Sequence, residues 1–421
     1  MKRIKIVGGN TLTGTINISG AKNSAVALIP AAILSDENVE IDNIPNISDI
    51  DALEEILTYL NADVKREGSK MTIDSSKIVN KEVPEVISKK LRASYYFMSS
   101  LLGKYKFVEM YFPGGCSIGA RPIDQTLKGY RALGATVVEE GNKFTISATE
   151  LKGNTVYLDM PSVGATVNIM LVAVRANGET IIENAAKEPE IVNLATFLNN
   201  MGAKITGAGT SRIKITGVNY LGACYNEVIP DRIETGTYIL AGALVGDNLT
   251  IDNIIPEHVE SLLEKLDEMG CDMVVTDSSV TISKLKTGKP VNVKTLGYPG
   301  FPTDLQQPLS TLLTQLNGTS TLEETIYENR FQNVKYLVDM GANIEIDGKK
   351  IYVSGPTPLK GKEVVATDLR AGACLVLAGL AADGLTIIDN VEHVLRGYEN
   401  IIGKLTNVGA KIELEEYNEV A

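Results

Sequence analysis

The chain has 421 residues, 44% of them hydrophobic and 22% charged, with a formal net charge of −12. That is enough for two or three globular domains, and an acidic balance argues against a nucleic-acid partner, which needs a basic footprint. Four widely spaced cysteines without a CxxC pair and only two histidines, His258 and His393, argue against a zinc ribbon, a His-based metal site or a Ser-His-Asp triad. No run of 18 apolar residues predicts a membrane span, and the opening Met1-Lys2-Arg3-Ile4-Lys5-Ile6-Val7-Gly8-Gly9 lacks the apolar stretch of a secretory leader. The expectation is a cytoplasmic protein. A GxxxxGK[ST] phosphate loop and a GxGxxG following a strand are both missing, which removes the common nucleotide-binding answers.

In chain order, Arg3 to Gly8 reads as a period-2 strand. A helix then opens at Ser19-Gly20-Ala21-Lys22-Asn23. The first helix-ending signature is Leu60-Asn61-Ala62, and it recurs as Leu133-Gly134-Ala135, Met201-Gly202-Ala203, Met269-Gly270-Cys271, Met340-Gly341-Ala342 and Val408-Gly409-Ala410. The steps are all about 70 residues, which is an internal repeat, and glycine is the expected helix stop. An amphipathic helix precedes each signature, as in Val259 to Leu266, and two period-2 strands follow it, as in Lys204-Ile205-Thr206 and Arg212 to Ile215. Each unit reads strand, helix, strand, helix, then two strands. The sixth unit ends short at Lys411 to Glu415. Arg3 to Gly8 resembles Arg212 to Gly217 and supplies the missing strand, so the chain is predicted to close on itself. Six repeats divide into two domains of three: residues 1–20 with 230–421, and residues 21–229. Two connections between them would make a hinge and a cleft.

Basic residues recur where the first helix of each repeat opens. Lys22, Arg92, Arg232 and Arg370 occupy such positions, with Ser162 and Asp304 at the remaining two. Helix N-termini favour anions, so convergence of these openings would build an anion site in an acidic protein. Arg121, Arg330 and Arg396 are expected at the starts of second helices. Ser162, Asp304 and Asp368 read first as helix caps, and Asp304, among so many cations, as a possible general base.

The densest chemistry lies in Pro113-Gly114-Gly115-Cys116-Ser117-Ile118-Gly119-Ala120-Arg121-Pro122-Ile123-Asp124. Glycine pairs allow close backbone approach to a ligand, and Pro122 suits a first helical turn, so a loop carrying Cys116 is expected to run into a helix near Arg121. A neighbouring guanidinium favours thiolate, which makes Cys116 a candidate reactive cysteine. On residues alone, the reading is a two-domain enzyme for a small, multiply anionic ligand, with a thiol, a carboxylate and several arginines. The reaction is left open.

That loop, with Gly20-Ala21-Lys22-Asn23, Leu91-Arg92-Ala93-Ser94, Ser162 to Thr166, Pro230 to Thr235, Phe301-Pro302-Thr303-Asp304, Glu328-Asn329-Arg330-Phe331, Thr367-Asp368-Leu369-Arg370 and Arg396-Gly397-Tyr398-Glu399, resembles the UDP-N-acetylglucosamine enolpyruvyl transferases along essentially the whole chain. The resemblance implies an α/β fold of two inside-out α/β barrels with pseudo-three-fold symmetry. It implies transfer of enolpyruvyl from phosphoenolpyruvate to the 3′-hydroxyl of UDP-N-acetylglucosamine in peptidoglycan synthesis, by a monomer without metal or organic cofactor. Lys22, Arg121 and Arg396, with Asn23 and Arg92, would hold phosphoenolpyruvate. Cys116 would protonate its methylene carbon and can form an adduct with it, and Asp304 would accept the hydroxyl proton. Arg92, Arg121, Pro122, Ile123, Asp124, Gln125, Ser162, Val163, Gly164, Asp304 and Ile326 would line the nucleotide-sugar site, supported by Asp368, Arg370, Arg232 and Arg330. Ser48 and Met160 stand where some relatives have lysine, and Leu395 where an acidic residue is frequent. The rival readings are the sister transferase acting on shikimate 3-phosphate, a non-catalytic nucleotide-sugar-binding protein, and a purely structural repeat protein.

Overall fold

The computed structural model describes residues 1–112 and 123–417. Cys116, Arg121 and Pro122 therefore lie outside the described residues. The described residues divide into two compact units, one gathering residues 1–19 and 230–417, the other residues 20–112 and 123–229. Among the described residues, no helix is long and apolar enough to cross a membrane.

The fold is α/β. In the second unit, Cys224–Glu227, Val39–Asp42, Lys70–Asp74 and Asp63–Glu67 form one four-stranded sheet, in that order. Thr155–Tyr157, Glu179–Glu183, Arg212–Thr216 and Lys204–Thr206 form another. In both, the first pair is parallel and the next two pairs antiparallel. Phe107–Tyr111, Lys143–Ser147 and Thr136–Glu140 make a three-stranded version, where an isolated parallel bridge from Val83 to Met110 stands in for the missing strand. The first unit holds three four-stranded sheets of the same pattern. In one of them the N-terminal strand Lys2–Val7 pairs antiparallel with both Leu385–Asp389 and Lys411–Glu416. Chain ends 400 residues apart in sequence thus share one sheet, so Lys2–Val7 has no exposed edge.

Each unit has its own apolar core. In the first, the helices Arg232–Val245, Gln306–Leu313 and Leu369–Ala381 pack on one another; Gln306–Leu313 is buried on every side and Leu369–Ala381 nearly so. Leu369–Ala381 is apolar on nearly every side, as an interior helix should be, whereas Gln306–Leu313 takes Gln306, Gln307, Ser310 and Thr311 into the core. In the second unit, Lys22–Ala31, Tyr96–Tyr105 and Val163–Ala173 are the buried helices.

Two backbone devices aim the loops. Asn61, Gly134, Gly202, Gly270, Gly341 and Gly409 all have positive φ, between 71° and 109°. These are the six signature positions, and only a residue tolerant of the left-handed region can end the helix there and turn into the strand. Asn43, Asn184 and Asn253 also have positive φ. Each follows the second strand of a sheet and donates its side-chain amide to the carbonyl just after the parallel first strand: Val228 at 2.8 Å, Leu158 at 2.9 Å and Ile18 at 2.8 Å. These clamps fix the segments that lead into Ser19, Ser162 and Pro230.

Candidate active site

In the second unit, Lys22 opens its helix as expected, and its ammonium lies 2.6 Å from Asp49 Oδ2. Asp49 is 3% exposed in the first turn of Ser48–Tyr59, where free N–H groups favour a carboxylate. Sequence reading missed Asp49. Its signal was an acidic residue in the first turn of the second helix, beside Ser48. Asn23 is half-buried next to Lys22. Arg92 opens a 3-10 turn, Arg92–Tyr95, rather than an α-helix, and lies 5.9 Å from the Tyr95 ring and 5.6 Å from that of Phe112. Ser162 caps Val163–Ala173 by accepting from Ala165 N at 3.2 Å, worth about 1 kcal/mol. Gly164 lies under Tyr95, where an added Cβ would come within 1.9 Å of the phenol oxygen. Arg92, Tyr95 and Gly164 are thus brought together. The second helix begins at Asp124. Ile123 precedes it half-buried, and Gln125 bonds Asp124 Oδ2 at 3.0 Å and Asp159 Oδ2 at 2.9 Å. Met160 beside it is 65% exposed.

The first unit carries the tightest cluster. Asp304 Oδ1 accepts from Arg330 Nη2 at 2.7 Å and Asp304 Oδ2 from Arg370 Nη2 at 3.1 Å. Both guanidiniums are almost fully buried while the Asp304 side chain is 26% exposed, so this double ion pair is largely shielded on the arginine side and open to one face at the carboxylate. Burial pushes the Asp304 carboxyl up, but Arg370 and Arg330, with Arg232 behind them, outweigh it and hold the group well below the usual carboxylate range. Asp304 is not a helix cap, contrary to the first expectation, because both its oxygens are taken by arginines. Asp368 is a cap and accepts from Arg370 N and Ala371 N at 2.9 and 3.0 Å, which seats Arg370. Arg370 Nη1 also donates to Tyr398 OH at 3.1 Å, and that hydroxyl meets Thr237 Oγ1 at 2.9 Å. Arg232 opens its helix beneath the Asp231 cap and lies 5.8 Å from the Tyr298 ring. Arg330 stands before Val334–Asp339 as predicted for a second helix. Arg396 follows the short helix Glu392–Leu395 and stands five residues before the helix Ile401–Asn407. Ile326 is 41% exposed, and its N–H donates to Glu324 Oε1 at 2.8 Å.

A second buried cluster went unread. Lys404 Nζ lies 2.6 Å from Glu234 Oε1 and 2.6 Å from Ser19 Oγ. Ser19 N donates to Glu234 Oε2 at 2.9 Å, and its hydroxyl bonds Glu399. Lysine within a helix and glutamate one turn into another carry no sequence signal of pairing until the fold brings them together. Among the described residues, no three of His, Cys, Asp and Glu gather where a metal could sit.

The family profile of EPSP synthase (3-phosphoshikimate 1-carboxyvinyltransferase) matches residues 6–405. UDP-N-acetylglucosamine 1-carboxyvinyltransferase 2 of Geobacillus kaustophilus is 52% identical over 416 residues, covering 99% of this chain and 97% of the relative. The enzyme of the same name from Listeria monocytogenes is 50% identical over 410 residues, covering 97% of each. Among solved structures, the enolpyruvyl transferase NikO from Streptomyces tendae superposes with a TM-score of 0.89 at 27% identity over 99% of both chains. EPSP synthase from Acinetobacter baumannii shares the fold at a TM-score of 0.77 and 17% identity, covering 99% of this chain and all of that one. With a clamped carboxylate at Asp304 and a lysine at the first helix opening, the chain belongs to the EPSP synthase family of enolpyruvyl transferases, with the UDP-N-acetylglucosamine 1-carboxyvinyltransferases as its half-identical, full-length relatives.

Proposed function

We propose that the protein transfers the enolpyruvyl group of phosphoenolpyruvate to the 3′-hydroxyl of UDP-N-acetylglucosamine and releases phosphate. The observation that carries this is half-identity over 97–99% of the chain with enzymes named for that reaction. Lys22, Asn23, Arg92, Arg121 and Arg396 hold phosphoenolpyruvate, whose two anionic groups suit bidentate guanidinium contacts. Ile123 to Gln125, Ser162 to Gly164, Arg121, Pro122 and Ile326 receive the nucleotide sugar. Cys116 gives a proton to the methylene carbon as the 3′-oxygen bonds to the adjacent carbon, and Asp304 takes the hydroxyl proton. In the second half, the bond from carbon to phosphate oxygen breaks and the new methyl group returns a proton, which restores the double bond.

The arginine clamp bears on how Asp304 works. Held far below neutrality, Asp304 is ionised at any working pH but is a weak base. Any carboxylate is too weak a base to ionise a free sugar hydroxyl, so the proton moves as the forming carbon–oxygen bond makes the hydroxyl acidic. Arg330 and Arg370 are pre-aimed and stabilise charge without reorganising.

The architecture we infer is a pair of inside-out α/β barrels of three repeats each. The recurring parallel–antiparallel sheet and the six left-handed helix ends support it. We assign the enzyme to the cytoplasm as a monomer in cell-wall synthesis, where both phosphorylated substrates are made.

The deciding assay is phosphate release from phosphoenolpyruvate with UDP-N-acetylglucosamine or shikimate 3-phosphate as acceptor. Release is expected only with the nucleotide sugar, and release only with shikimate 3-phosphate would reassign the substrate. Cys116→Ser is expected to reduce turnover by about 100-fold, the lower range for loss of a proton donor, with folding unchanged. An epoxide phosphonate should label Cys116; labelling confined to Cys224, Cys271 or Cys374 would remove it from the mechanism.

A further inference from the structure

Glu324 directly follows the strand Gly318–Glu323 and is 1% exposed, yet it carries a carboxylate. Burial of such a group is costly unless hydrogen bonds replace its water. Four do. Oε1 accepts from Thr295 Oγ1 at 3.1 Å, Ile326 N at 2.8 Å and Tyr327 N at 3.2 Å. Oε2 accepts from Thr303 Oγ1 at 2.8 Å. Thr303 has one proton, and Glu324 takes it, so the hydroxyl oxygen presents lone pairs on its other side. There Arg330 Nη1 donates at 2.7 Å, while Nη2 of the same guanidinium reaches Asp304 at 2.7 Å. The polarity of this chain is fixed at both ends, because the guanidinium can only donate. A carboxylate, which can accept but not donate, forces Thr303 to donate to it and accept from Arg330.

We propose that Glu324 is a positioning residue for the reaction. Acting through Thr303, it holds Arg330 in the fork that grips Asp304, and through Ile326 N and Tyr327 N it sets the turn that contacts the acceptor sugar. This rests on the reading of Asp304 as proton acceptor. The same carboxylate couples both parts, so it tunes chemistry and acceptor binding together.

The test is steady-state kinetics on the full chain with phosphoenolpyruvate and UDP-N-acetylglucosamine, using Glu324→Gln, Thr303→Val, Thr303→Ser and the Glu324→Gln/Thr303→Val double variant. In Glu324→Gln an amide N–H meets the Thr303 oxygen, which already accepts from Arg330, so the Thr303 proton loses its acceptor and the chain no longer holds the hydroxyl in one orientation. A fall of at least about 10-fold in kcat is expected, with a rise in KM for the nucleotide sugar larger than that for phosphoenolpyruvate. Thr303→Val is expected to fall similarly, Thr303→Ser to keep wild-type kcat, and the double variant to be no slower than the slower single, because one chain is broken only once. Wild-type kcat in Glu324→Gln, or losses that multiply in the double variant, would overturn the proposal. If Glu324→Gln does not fold, the Thr303 pair decides, and wild-type kcat in Thr303→Val overturns it. Asp304→Asn separates the two levels. If that variant is inactive while Glu324→Gln and Thr303→Val are normal, only the positioning role is lost. If Asp304→Asn is fully active, the reading of Asp304 fails and the proposal with it.

Discussion

Asp304→Asn is expected to lower kcat by about 10³-fold, in the middle of the range for removing a positioned proton acceptor. The side chain keeps its shape, so a binding role alone would leave kcat nearly intact and raise KM. The variant also leaves Arg330 and Arg370 facing each other without their shared counter-charge, and both are nearly fully buried. Loss of one member of a buried ionic cluster costs about 3–5 kcal/mol, so a lowered melting temperature should accompany the lost turnover. The pH dependence separates the two effects. The Asp304 carboxyl is held below its ordinary value of 3.8, so the unfolded chain binds its proton more readily than the folded one. The stability from the clamp is therefore fully present above about pH 4 and lost as pH falls through the lower folded value. At pH 7 the wild type should exceed Asp304→Asn in stability, and the gap should narrow only in strong acid. Turnover within tenfold of wild type would remove Asp304 from the chemistry.

How much of this was legible depended on whether the signal was local. The six helix ends were readable because left-handed geometry restricts the residue type at one position, and Asn61 was as informative as the five glycines. Helix openings at Lys22, Arg232 and Leu369 were readable from small or polar caps. The charge partners were not. Asp304 looked like a cap because aspartate at a helix start usually is one, and only the fold brings Arg330 and Arg370 to its two oxygens. Asp49, Glu234, Lys404 and Glu324 are the same case. A lone acid or base in a helix or strand reads as surface, and its burial is decided by packing from elsewhere in the chain. Arg396 precedes the helix Ile401–Asn407, but the short helix Glu392–Leu395 directly before it had no signal in the sequence. The asparagine clamps were missed although Asn43, Asn184 and Asn253 follow the repeat step, since the reading looked for glycine stops and basic openings and not for an amide after the second strand.

Lys404→Met is expected to destabilise the protein by about 3 kcal/mol at pH 8 and by clearly less at pH 5. Burial pushes the Glu234 carboxyl up to about 7, against the pull of Lys404 and the Ser19 N–H, with Asp231 adding to the rise. Glu399, bonded to the Ser19 hydroxyl, is the other acid at the cluster. Without the ammonium, Glu234 rises further. The folded chain then binds a proton that the unfolded chain, with a value near 4.5, has already released. Stability is full below the unfolded value and falls as pH climbs through the folded one. Denaturant unfolding at the two pH values reads this directly, and adding Glu234→Gln should flatten the difference. An equal loss at both pH values would mean that Lys404 contributes packing rather than charge. The functional consequence follows from sequence position. Ser19 lies three residues before Lys22, and Glu399 three residues after Arg396. The cluster holds Glu399 through the Ser19 hydroxyl, so Arg396, a cation assigned to phosphoenolpyruvate, sits three residues from a segment anchored by one buried lysine. Lys404→Met should therefore raise KM for phosphoenolpyruvate more than KM for the nucleotide sugar, at a pH and temperature where the variant is still fully folded.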